Sequence, residues 1–148
     1  MRLRAELQPE GRGGAVRRLR IAHVSPTFFD SQSVVGGGER YVYNLARSLD
    51  AVRETLPISV DQTIFALGKQ EKLFLEGSIP VRILPNENPS ANLMSGLSGR
   101  FWEELASFDL IHVHQSLTVF GAFCAVVAKS LGKHLVMTDL YPSVPHLR

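Results

Sequence analysis

One cysteine, Cys124, stands in 148 residues, which excludes an internal disulfide framework and fits a reducing compartment such as the cytoplasm. Long apolar runs are missing too. The most apolar window, residues 119–128, is too short to span a bilayer. Residues 1–18 lack the apolar core of a secretory signal. No charge of one sign dominates: 16 Lys and Arg face 14 Asp and Glu, and a net of +2 makes no demand for a nucleic-acid partner. The distribution is uneven, however. Six arginines (2, 4, 12, 17, 18 and 20) against Glu6 and Glu10 give residues 1–20 a net +4, leaving −2 for the remainder. Residues 1–18 therefore read as a disordered basic arm, and Arg17, Arg18 and Arg20 leave a peripheral membrane contact open.

What is present is an alternation of short apolar strands with helical patterns. Residues 19–24 read as a first strand, and Val42, Leu45, Ala46 and Leu49 recur at helical spacing up to Asp50. Residues 58–67, rich in β-branched and aromatic side chains, form a second strand stopped by Gly68. Residues 69–77 read as one or two helical turns. Residues 81–84, between Pro80 and Pro85, form a third strand, and 86–98 a loop. Phe101, Leu105 and Phe108 share a helix face over 99–108, and 110–114 is a fourth strand. Phe120, Phe123, Cys124, Val127, Ala128 and Leu131 make the strongest helical stripe, ended by Gly132 and Lys133. Residues 135–138 are a fifth strand, and 140–148 an irregular tail. The fold class is α/β: a Rossmann-like, doubly wound, mostly parallel sheet of order 3-2-1-4-5. There is no internal repeat.

In that order strands one and four are neighbours whose connections leave in opposite directions, so a crevice opens above their carboxyl ends. Two features converge there. Gly36, Gly37 and Gly38 precede the first helix, where glycines leave the free N–H groups and their partial positive charge open to a phosphate or a sugar hydroxyl. The same run also suits an ordinary flexible loop. His114 stands at the end of strand four. His112 and His114 share a strand face, but a metal site lacks further ligands nearby in sequence, so none is expected. His112 reads as a structural ring bonded to backbone, His23 as a core or near-core ring, and Cys124 as packing. The glycines do not form G-x-G-x-x-G, and Gly68-Lys69-Gln70 is no P-loop, so neither an NAD nor an ATP site of the usual kind is expected.

Arg20-Ile-Ala-His-Val-Ser-Pro26, Gly36-Gly-Gly-Glu-Arg40, Asn44-Leu-Ala-Arg-Ser-Leu49, Asp109-Leu-Ile-His-Val-His114 and Leu131-Gly-Lys-His-Leu-Val-Met-Thr138 follow one another in an order and spacing that resembles the N-terminal domain of family 4 glycosyltransferases, retaining enzymes of the GT-B fold. The likeness covers roughly residues 19–139. It implies that Gly36, Gly37 and Gly38 lie against the donor diphosphate and the acceptor, with Glu39 and Arg40 the polar pair at the helix start. It implies His114 as the catalytic-cleft residue near the transferred sugar. Where the family often has T-x-H, this chain reads Thr138-Asp139-Leu140, so Asp139 is the residue left to line the cleft. No cofactor is implied beyond a nucleotide-sugar donor as co-substrate.

The resemblance also implies a second domain that would bind most of the donor, and the 148 residues do not contain its motifs. The expectation is the N-terminal, acceptor-side part of a GT-B glycosyltransferase, truncated and inactive without its missing C-terminal domain or a complementary subunit. An exposed fifth strand would then favour self-association. Two other readings remain at this stage: a non-catalytic sugar-, nucleotide- or partner-binding module of the same fold, and an unrelated flavodoxin-like phosphate binder.

Overall fold

Asp109 fixes how the two central strands meet. Its carboxylate accepts from the backbone N–H of Arg20 at 2.8 Å and pairs with the Arg20 guanidinium, while its own N–H donates to the Arg20 carbonyl at 2.9 Å. These bonds set strand β1 (Arg18–Val24) parallel to β5 (Leu110–His114), with His23 opposite His112. The computed structural model describes residues 18–27, 37–88 and 95–139. The basic arm before Arg18, Gly36 and the tail 140–148 lie outside these residues.

Between the two central strands come α1 (Gly37–Val52), a 3₁₀ turn (Arg53–Thr55), β2 (Ser59–Gly68), β3 (Lys72–Glu76), β4 (Ile79–Pro85) and α2 (Phe101–Leu105). After β5 follow α3 (Val119–Ser130) and β6 (His134–Thr138). The six strands form one sheet of order β3-β4-β2-β1-β5-β6, parallel except for the β3–β4 pair. The Rossmann-like α/β class holds, and the parallel neighbours β1 and β5, whose connections leave towards opposite edges of the sheet, stand where the crevice was expected.

The order differs from the expected one by an added edge strand. Residues 69–77 are not helical: β3 runs antiparallel to β4 through the two-residue turn Gly77–Ser78, with Gly77 at φ +64°. A glycine in that left-handed conformation suits the tight hairpin turn, and Phe74 gains a place against the sheet that one helical turn could not provide. The helix expected over 99–108 is also shorter, Phe101–Leu105. Phe108 nevertheless packs against the same core as Phe101 and Leu105.

Alternating side chains divide the sheet into two faces. On one, Val42 and Ala46 of α1 pack against Ile64, Ala66, Val81 and Ile83. On the other, Phe101, Leu105, Phe120, Cys124 and Val127 of α2 and α3 cover Val24, Phe65, Ile111 and Val113. Edge-to-face rings join that second layer, with Phe101 and Phe120 centroids 5.4 Å apart at 70°. Helices on opposite faces are what right-handed crossovers leaving β1 and β5 in opposite directions require. β6 has a sheet neighbour on one side only among the described residues, and Val136 and Met137 on it are exposed.

Candidate functional site

The carboxyl end of β5 turns sharply into α3. Gln115, the residue after His114, has φ 58°, a left-handed conformation uncommon for a side chain of its kind. The turn is held by Thr118. Its hydroxyl donates to the Gln115 carbonyl at 2.9 Å, and its oxygen accepts from the N–H of Gly121 as the N-cap of α3. Gly121 must be small: a Cβ there would lie 2.8 Å from the Gln115 carbonyl oxygen.

The start of α1 meets this turn. A Cβ on Gly38 would stand 2.2 Å from Gln115 Nε2, so the glycine is what lets the amide lie against the first turn of the helix. Tyr41, one turn on, sets its ring edge towards His114 with centroids 5.9 Å apart. Gly38, at the start of α1, and the end of β5 therefore adjoin one another at the carboxyl ends of the central strands. Of the other residues expected here, Gly37 and Arg40 are exposed and Glu39 is buried, an acidic group in the helix's positive first turn. Asp139 is exposed and follows Thr138, the register partner of His114. Gly36 is outside the described residues.

His114 is fully buried and His23 nearly so, while His112 is half-buried. His23 Nδ1 lies 3.3 Å from His114 Nε2, and His23 Nε2 lies 3.3 Å from Gln62 Oε1. Gln62 in turn donates from Nε2 to the Ala46 carbonyl of α1 at 2.7 Å. His112 bonds through Nε2 to the Thr138 hydroxyl at 2.7 Å, a side chain rather than the backbone partner expected. Burial lowers the pKa of His23 to about 4 and of His114 to about 2, with neighbouring imidazoles adding to the effect, and burial lowers that of His112 as well. Burial thus favours the uncharged form of all three rings, most strongly for His23 and His114.

Three polar atoms at this end of the sheet are buried without a hydrogen-bond partner among the described residues: Ser25 Oγ, His114 Nδ1 and Gln115 Oε1. Buried polar atoms are seldom left so, and three on adjoining segments mark a place where a ligand or water would complete them. One nitrogen from each of His23, His112 and His114 lies within 4.8 Å of the others. The set is of a kind that suits a metal ion, and the third ring that sequence spacing could not supply comes from β1. His23 Nδ1 and His114 Nε2 nonetheless engage each other.

Residues 35–139 match the family model described as Glycosyltransferase Family 4, well over half of the chain. The chain belongs to glycosyltransferase family 4. No curated protein sequence matches it. The matched segment of this family 4 domain runs from the end of the glycine approach to Asp139 and takes in Gly37, Gly38 and His114. Sequence reasoning missed Tyr41, Gln62, Gln115 and Ser25 as parts of the site, and read His23 only as a core ring. Among the described residues no helix is long and apolar enough to cross a membrane. An open concavity of about 420 Å³, lined by Arg53, Glu54, Pro57, Ser59 and Asp61 among others, lies at the amino end of β2, the opposite end of the sheet from these imidazoles.

Proposed function

We propose that this glycosyltransferase-type domain forms the acceptor-side wall of a GT-B cleft in which a sugar passes from a nucleotide-sugar donor to an acceptor. The observation that carries the reading is the meeting of Gly38 with Gln115, which sets the start of α1 against the turn that follows His114. Backbone N–H groups at Gly37 and Gly38 stand at the positive end of a sixteen-residue helix, where a diphosphate is favoured. Stabilising the charge that builds on the leaving diphosphate is the largest service a protein can render to this reaction. The neutral His114 ring, its Nδ1 without a partner among the described residues, suits a sugar hydroxyl. Arg40 at the helix start and Asp139 just beyond β6 are both exposed, and in this reading they meet the anionic donor and the acceptor.

A single sheet makes one wall, and glycosyl transfer needs donor and acceptor held between two. Residues 18–139 on their own therefore bind without transferring; the wall that holds most of the nucleotide comes from another domain or subunit. Retention at the anomeric carbon, a cytoplasmic location and the absence of a metal requirement belong to the same proposal. Saturation-transfer NMR with a panel of nucleotide sugars tests it. Transfer to the sugar protons, lost in His114→Gln, is the expected result. No transfer to any donor, or sugar turnover by this chain alone, would refute it.

A further inference from the structure

Four groups in a row connect α1 to His114, and their chemistry allows only one direction. The Ala46 carbonyl can only accept, so the side-chain atom of Gln62 at 2.7 Å from it is the NH₂, which turns Oε1 towards His23. An amide oxygen can only accept, so His23 carries its proton on Nε2 and leaves Nδ1 bare. Bare Nδ1, 3.3 Å from His114 Nε2, accepts in its turn, so the proton of His114 sits on Nε2. What remains is His114 Nδ1, the buried nitrogen without a partner among the described residues, as a lone pair. Both rings are held neutral by burial, so each has one proton to place and the relay has no slack.

We infer that Gln62 and His23 are positioning residues that fix the tautomer of His114, holding its proton on Nε2 so that Nδ1 presents an acceptor to a donor hydroxyl. This role rests on His114 as the sugar contact, whereas the tautomer itself does not depend on any ligand. With the relay reversed, His114 would present an N–H at Nδ1 and meet a hydroxyl only through its oxygen. Gln62 and His23 touch no reacting atom; they act through the ring of His114.

The test is ¹⁵N–¹H correlation NMR of the imidazole nitrogens in the ligand-free 148-residue protein at neutral pH. His114 is expected to show a protonated-type shift at Nε2 and a bare-type shift at Nδ1. Gln62→Met, which removes the acceptor, is expected to bring the two nitrogens of His114 towards averaged shifts. Two substitutions at His23 separate orientation from mere packing. His23→Gln keeps a donor on one side and an acceptor on the other and is expected to retain the Nε2–H form; His23→Leu is expected to lose it. A proton on Nδ1 of His114 in the unsubstituted protein would overturn the inference, even if every variant failed to fold. So would an unchanged tautomer in folded Gln62→Met and His23→Leu. Because no nucleotide sugar is present, these results stand apart from success or failure of the donor-binding reading.

Discussion

Gly38 and Gln115, 77 positions apart in the chain, lie so close that a methyl group on the glycine would meet the amide nitrogen of the glutamine at 2.2 Å. This contact brings the helix start and the end of β5 together, and it differs in kind from the one at Gly121. There the obstacle to a Cβ is backbone, the Gln115 carbonyl oxygen at 2.8 Å and Ser116 at 3.0 Å.

The two glycines should therefore separate folding from binding. In Gly38→Ala the glutamine side chain can swing away, and alanine is the better helix former, so stability should stay within about 1 kcal/mol of the parent. Affinity for a nucleoside diphosphate should nevertheless drop, because the displaced amide enters the crevice. Gly121→Ala forces a rigid turn apart and should cost roughly 1–3 kcal/mol. Urea unfolding of both variants, paired with calorimetric titration of UDP, checks the contrast. Equal destabilisation by the two substitutions would contradict it.

The buried imidazoles make the fold sensitive to mild acid. His23 and His114 take up protons near pH 6.5 when unfolded, but only near about 4 and about 2 when folded. The unfolded chain thus binds more protons between pH 6.5 and 4, and stability falls as the pH falls through that window. Each group contributes a slope of up to about 1.4 kcal/mol per pH unit. The carboxylates of Asp109 and Glu71, held below their usual range chiefly by hydrogen bonds from Arg20 and Arg100, lose their contribution only below their unfolded values of about 4. Urea midpoints at pH 7.5, 6.0 and 5.0 should decline steadily. A flat profile above pH 5 would show that the rings protonate freely in the folded state.

Cys124 sits fully buried between helix and sheet, and burial pushes its thiol well above the ordinary range. Thiolate is the reactive form, so the native protein should resist Ellman's reagent and react fully only in denaturant. The release of thionitrobenzoate measured with and without urea reads this directly. Rapid modification under native conditions would place the α3 packing in error.

Much of the fold could be read before any coordinates because its signals are periodic. The stripe from Phe120 to Leu131 and the run of residues 110–114 announce themselves within a few residues, and α3 and β5 stand there. β3 was missed although Gly77-Ser78 between two apolar runs carries a hairpin signal; Lys69, Gln70, Glu71 and Lys72 made the segment look like a polar helix. The site was legible only in part. The glycine run pointed to Gly36, Gly37 and Gly38, and the expected strand order brought in His114. The imidazole of His23 and the amides of Gln62 and Gln115 join them through strand pairing and helix docking, which no local pattern records. Register decides it: His23 falls opposite His112 because Asp109 binds Arg20 at the other end of the same two strands.

The central claim is that the start of α1 and the end of β5 form one ligand-binding mouth. Its most direct test is amide NMR titration of the 148-residue protein with UDP and with UDP-glucose. The account predicts saturable shifts at Gly37, Gly38, Glu39 and Gln115 with both probes, and at the His114 ring with the sugar-bearing one. Shifts confined to the concavity around Arg53, Ser59 and Asp61, or no saturable shift at all, would contradict it.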